Sequence, residues 1–269
     1  MQSKIRKMAE CSMLVALATV LSVLKLVEMP YGGSITFASM LPIVIMSYRH
    51  GCGWGLISGL LYGVIQQLLG LNSLSYFTTW YSILAVILLD YVLAFTVLGF
   101  AGAFRKKAAT QSHAMILGSL LACLLRYVLH TVAGCTVWAG LSIPTEAALI
   151  YSIGYNATYM LPETIILLIT AAYLSSMLDF NRNIPTRVHM ESGSRAGLVC
   201  QALSGLAAVA GITVATVLIF PHMQDAETGD FILHGLSSVN WTATIIALGA
   251  GVISSLALYL VARKINRAG

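Results

Sequence analysis

The chain has 269 residues, of which 58% are hydrophobic and only 9% charged, with a net charge of +5 and a mean hydropathy of +0.85. No soluble domain of this size can bury that much apolar surface, and no loop exceeds about 20 residues, so the solvent is lipid and a separate soluble domain is excluded. The basic residues are spread over five short patches, which fits membrane flanks and anionic lipid and excludes a nucleic-acid partner.

Eight hydrophobic spans are predicted, at about 8–28, 35–48, 52–70, 78–103, 114–138, 147–177, 196–220 and 239–262. The first follows Lys4, Arg6 and Lys7 and has no small-residue cleavage signal, so it reads as a retained helix rather than a signal peptide. Lys25 and Glu28, three apart near its outer end, read as a snorkelling pair. The loop MPYGGS that follows combines a proline with two glycines and is expected to be the most mobile of the short loops. The second span is short and carries Pro42, which predicts tilt or shielding by its neighbours. The sixth is long, with a kink predicted at Pro162.

Arg49 follows the second span, Arg105, Lys106 and Lys107 the fourth, Arg182, Arg187 and Arg195 the sixth, and Arg263, Lys264 and Arg267 the eighth. The alternate loops, at about 30–34, 71–77, 139–146 and 221–238, hold no Lys or Arg. Cytoplasmic loops collect basic residues, so both termini are expected in the cytoplasm and the protein in the cell membrane. After residue 178 the polar stretch DFNRNIPTRVHMESGSR reads as a cytoplasmic linker. The expected organisation is thus a six-helix unit over 1–178, a linker over 179–195 and a two-helix extension over 196–269. In that extension Gly197, Gly205, Gly211, Gly249 and Gly251 would allow close helix packing. Cys11, Cys52, Cys123, Cys135 and Cys200 are odd in number, form no CxxC and lie in or beside spans, so they read as small buried apolar residues.

Ionisable groups deep in a bilayer cost about 2.5–3.5 kcal/mol each and are rarely idle. Here they are Asp90, Arg126, His130 and Glu163, all in the six-helix unit. At about 1.5 Å of rise per residue, Asp90 lies roughly 15–18 Å below the outer end of its span and Arg126 about 18 Å below the end of its own. The two are expected to meet as the floor of an outward-facing cup. Arg126, His130 and Gly134 are four apart and share a helix face, with Tyr127 beside it and Trp138 at the rim. Tyr151, Asn156 and Glu163 run down the next span. Taken singly, rim aromatics are interfacial belt residues and an Asp–Arg pair can be structural. Their clustering in spans four to six, with nothing comparable in seven and eight, points to a site. If Asp90 and Arg126 neutralise each other, an ionised Glu163 leaves excess negative charge, and the last outer loop, HMQDAETGDF, adds three acidic residues. Aromatic rings with net negative charge favour a cationic, ring-bearing small molecule.

The blocks LLDYVLAFTVLGFAGAFRKK at 88–107, LLRYVLHTVAGCTVW at 124–138 and IYSIGYNATYMLPE at 150–163 resemble the thiamine-specific substrate-binding (S) components of energy-coupling factor vitamin transporters. The resemblance runs over roughly residues 8–178. It implies an all-α membrane fold of the S-component type, with Asp90, Tyr91, Arg126, Tyr127, His130, Gly134, Trp138, Tyr151 and Asn156 lining a thiamine site. Glu163 and Tyr31 are possible additions, and Arg126 would hold Asp90 in place. This chain has Asp90 and Arg126 where the family usually has Glu and Lys, and Gly33 near the place of a loop Trp, which leaves Tyr31 as the aromatic lid. The resemblance further implies a membrane scaffold (T) component and two cytoplasmic ATPases as partners. ATP would be used by those partners, with no cofactor bound permanently and no metal in the chain.

No GxxxxGK[ST] phosphate loop occurs in the chain. Ser12 and Ala16, at small-xxx-small spacing, would suit a docking face. Three other readings stay open: a solo ion-coupled carrier using Glu163 or His130, an intramembrane enzyme using Asp90 and His130, and an S component for another ring-bearing vitamin or thiamine precursor.

Overall fold

The computed structural model describes residues 2–29, 32–138, 143, 145–188, 195–223 and 234–268. Two compact units divide the chain, Met1–Leu168 and Ile169–Gly269. Among the described residues the helices are α1 (Gln2–Val23), α2 (Leu41–His50), α3 (Cys52–Leu69), α4 (Trp80–Gly102), α5 (Gln111–Thr136), α6 (Glu146–Met177), α7 (Arg195–Ile219) and α8 (Trp241–Ala268). Helices α3 to α8 are long and apolar enough to cross a membrane. Their outward faces carry large exposed side chains such as Leu68, Leu124, Leu161 and Ile253. Such faces are costly in water and at home in lipid, so this is an all-α membrane protein.

The first two predicted spans turn out differently. α1 stops at Val23, and the chain then runs extended as β1 (Lys25–Glu28), pairing antiparallel with β2 (Ser34–Thr36). The Met29 N–H donates to the Gly33 carbonyl at 2.7 Å, closing the turn. Lys25 therefore lies on an exposed strand rather than inside a helical span, and its 2.6 Å ion pair with Glu28 is there as expected. α2 begins only at Leu41, with Pro42 in its first turn, where a missing N–H costs nothing. Its ten residues reach about 15 Å, half a bilayer core. Every residue from Leu41 to Tyr48 is buried, so neighbouring helices shield it from lipid. Among the described residues six of the eight predicted spans are thus helices both long and apolar enough to cross a membrane, while α1, with 22 residues, is as long but begins with charge, and α2 is short and internal.

Two contacts fix the inner frame of the first unit. Gly55, Gly59 and Gly63 form a stripe on α3 against which the α4 backbone lies directly: a Cβ at Gly59 would meet the Phe95 carbonyl oxygen, and one at Gly63 that of Tyr91. At the other end Glu10 of α1 accepts from Arg49 Nε, from Arg49 Nη2 at 3.2 Å and from His50 Nε2 at 2.9 Å, tying α1 to the last turn of α2. α5 is capped by Thr110, whose hydroxyl accepts from the His113 N–H at 3.2 Å. Pro162 lies inside α6 without ending it.

In the second unit β3 (Leu178–Asp179) pairs with β4 (Thr186–Arg187), so part of the predicted linker is a short ladder. There the Asn181 N–H donates to the Asp179 carboxylate at 3.0 Å and Arg182 Nε at 3.1 Å, and these bonds hold that carboxyl below its ordinary range. α7 and α8 cross backbone to backbone at Gly211 and Gly251, and the Ser204 hydroxyl donates to the Ser255 carbonyl at 2.8 Å. Of the other glycines expected to aid packing, Gly249 faces open space and Gly205 only approaches Ile169. The acidic residues of HMQDAETGDF lie outside the described residues.

Candidate functional site

Asp90 sits in the middle of α4, where the helix widens to a π-helical stretch over Ile87–Leu93 before tightening again. Widened turns displace side chains from the regular helical stripe and recur at functional sites. Both Asp90 and Tyr91 line one cavity here, although they are sequence neighbours. The carboxylate is gripped from α5: Oδ1 lies 2.9 Å from His130 Nδ1, and Oδ2 accepts from Trp138 Nε1 at 2.6 Å. The Trp138 ring packs edge-on against Phe77, centroids 4.7 Å apart, and against Tyr76 at 5.8 Å. Tyr91 is held by its hydroxyl, 2.9 Å from Ser73 Oγ.

Arg126 does not meet Asp90, and that expectation is corrected. Its Nη1 donates to Glu163 Oε2 at 2.8 Å and to Met40 Sδ at 3.1 Å, while its guanidinium lies 4.6 Å over the Phe95 ring. Glu163 is 2% exposed and Arg126 6%, and at that depth in an apolar bundle a guanidinium needs a carboxylate against it. The Thr36 hydroxyl donates to the other Glu163 oxygen at 2.8 Å. The assignment of excess charge is reversed with it. Glu163 is neutralised, and among the described residues no Lys or Arg pairs with Asp90.

The third wall comes from α6. Tyr151, Tyr155 and Tyr159 recur every four residues: the first two rings are parallel within 2° with centroids 6.3 Å apart, and the next pair is edge-to-face at 5.8 Å. Asn156 is buried and largely used internally, donating to the Ser152 carbonyl at 2.9 Å and accepting from the Tyr159 hydroxyl at 2.7 Å. The cover is backbone. A Cβ on Gly33 would come within 3.0 Å of the Tyr155 hydroxyl and the Tyr159 ring, so the loop lies on the tyrosines at a distance only glycine allows without displacement. Gly32, Gly33 and Ser34 line the cavity with the groups above, and its volume is about 370 Å³. That is the size of a small-molecule site.

Of the residues singled out in the sequence, Asp90, Tyr91, Arg126, His130, Gly134, Trp138, Tyr151 and Asn156 line this cavity. Tyr127 does not: its hydroxyl donates to the Ile153 carbonyl at 2.9 Å, bridging α5 to α6. Glu163 lies behind the lining, paired with Arg126. Tyr31 lies outside the described residues. Gln66, Phe95, Ser152, Tyr155 and Tyr159 also line the cavity and were not anticipated. The four-residue repeat of tyrosines was a readable signal for two of them, whereas nothing in the sequence marks Gln66 or Phe95. Buried atoms without a partner among the described residues include His130 Nε2 and Arg126 Nε, both on cavity-lining side chains.

Comparison with known proteins agrees with this architecture. The thiamine transporter protein family (Thia_YuaJ) matches residues 8–181. The thiamine transporter ThiT of Bacillus subtilis (strain 168) is 32% identical over 179 residues, spanning 62% of this chain and 89% of that protein. The solved structure of ThiT from Listeria monocytogenes superposes with a TM-score of 0.52 at 26% identity, covering 64% of this chain and 94% of that one. The match holds the whole cavity and both strands of the hairpin that covers it. The chain belongs to the thiamine transporter protein family, as a transport component rather than an enzyme.

Proposed function

We propose that this chain is the thiamine-binding S component of an energy-coupling factor uptake transporter. The observation that carries the reading is the Asp90 carboxylate, oriented by His130 and Trp138 and lacking a Lys or Arg partner among the described residues, at the edge of a cavity walled by tyrosines. Thiamine joins a permanently cationic thiazolium to a flat aminopyrimidine. The carboxylate balances the cation, and Trp138, Tyr151 and Tyr155 offer ring faces to the two heterocycles. Arg126 shapes the floor rather than holding Asp90, because its charge is already met by Glu163.

The chain has no phosphate loop of its own, so a membrane scaffold and two ATPases would supply the energy. Ser12 and Ala16 are exposed on α1, as a docking face for that scaffold requires. The distribution of Lys and Arg favours cytoplasmic termini in the cell membrane, with the cavity opening outward.

Titration of the purified protein with thiamine, followed by tryptophan fluorescence and calorimetry, tests the reading. Saturable binding with quenching is expected. Asp90→Asn and Trp138→Ala should each weaken it at least about tenfold, or about 1.4 kcal/mol, and the second should also remove most of the quenching. A folded protein that ignores thiamine ends the thiamine reading. Tighter binding of a single-ring precursor moves the substrate to that precursor, and uptake in cells lacking the ATPases favours a solo carrier.

A further inference from the structure

The cavity is bounded on one side by backbone, and that backbone continues into β2. Gly32, Gly33 and Ser34 form the wall, and Thr36 follows at the end of the strand, 4% exposed and within the bundle. The Thr36 hydroxyl lies 2.8 Å from Glu163 Oε1 and 2.7 Å from Ser39 Oγ. The second oxygen of Glu163 accepts from Arg126 at 2.8 Å, and Arg126 itself lines the cavity. One buried carboxylate thus holds the strand that continues from the wall with one oxygen and Arg126 with the other.

We propose that Thr36 and Glu163 are positioning residues for the ligand, their hydrogen bond fixing the Gly32–Ser34 wall against the Arg126 floor. Neither lines the cavity, so they act through the segments they hold. The wall needs such an anchor. It has no side chain at Gly32 or Gly33, and the hairpin behind it is short, with an irregular register between Lys25 and Val27. An isolated two-stranded ladder is marginal on its own. Thr36 also differs from a packing residue in kind, because its hydroxyl is satisfied by a charge, and such bonds are about twice as strong as neutral ones. Loosening the wall opens an exit while leaving the binding groups of α4, α5 and α6 in place. The consequence belongs to the dissociation rate more than to association.

The test compares Thr36→Val, which removes the hydroxyl at nearly constant volume and leaves the Arg126–Glu163 pair intact, with Thr36→Ser and Ser39→Ala. Hydrogen exchange across residues 32–36 in the ligand-free protein reads the anchor directly and does not depend on what the ligand is. Thr36→Val should speed that exchange about tenfold, with Thr36→Ser and Ser39→Ala close to wild type. For thiamine, whose use as ligand rests on the function proposed above, Thr36→Val should raise the dissociation rate about five- to tenfold with association little changed. Unchanged exchange in a folded Thr36→Val protein overturns the anchor, as does an equal effect of Ser39→Ala, which would place the effect in the local turn. Faster exchange with an unchanged thiamine dissociation rate overturns the positioning role. A wild-type protein that binds no thiamine while the exchange result stands overturns the ligand reading alone.

Discussion

At the residue scale the charged groups pair by depth and reach. Arg126 finds Glu163, and Asp90 is left to the neutral donor of Trp138 and the ring nitrogen of His130. A buried ion pair broken on one side costs about 3–5 kcal/mol, so Arg126 and Glu163 behave as a unit. Asp90, with its partners at the cavity edge, tolerates replacement better and is where loss of function is expected to separate from loss of fold. Gln67 is the opposite case. It is 6% exposed, and among the described residues neither its Nε2 nor its Oε1 has a hydrogen-bond partner. An unsatisfied buried amide costs about 1–3 kcal/mol, so Gln67→Leu should raise the thermal unfolding midpoint in detergent. A fall instead would show that the amide is satisfied in the membrane protein.

At the element scale, two helix contacts are made by glycine for different ends. The stripe Gly55, Gly59 and Gly63 lets the backbone of α4 lie on α3, and the widened stretch that carries Asp90 and Tyr91 is set against that stripe. In the second unit Gly211 and Gly251 bring α7 and α8 together, where a Cβ on either would come within 2.8 Å of the other's Cα. Gly211→Val should therefore force the pair apart at about 1–3 kcal/mol, the ordinary cost of overpacking. Limited proteolysis should then cut within the second unit faster, with thiamine affinity unchanged. Unchanged proteolysis would mean that the crossing is adjustable.

At the scale of the whole molecule, the lining of the cavity runs from Gly32 to Tyr159, inside the first compact unit and inside the region matched by the family. The second unit contributes none of those residues. A chain ending at Val188, which keeps all of α6 and the β3–β4 ladder, should bind thiamine within about threefold of the full chain, since it loses none of the residues that line the cavity. A larger loss measured by calorimetry on a folded sample would give α7 and α8 a part in binding.

By itself the sequence determined the solvent of this protein, the run of its long helices and half of the residues that line its cavity. Lipid demands continuous apolar segments, and an ionisable group left among them stands out against that background. Asp90, Arg126, His130 and Glu163 were visible for this reason, and the four-residue spacing of Arg126, His130 and Gly134 carried over to the cavity. Which carboxylate faces Arg126 was decided only by the tertiary structure, because spacing fixes a face and a depth but not the rotation of one helix against another. The same holds for Tyr127, which shares a turn with Arg126 yet reaches Ile153, and for the strand at Lys25–Glu28, where pairing with Ser34–Thr36 overrides an apolar run that reads as helix. Gln66 and Phe95 enter the site through the glycine contact of α3 with α4, a packing event with no local signature at the residues it moves.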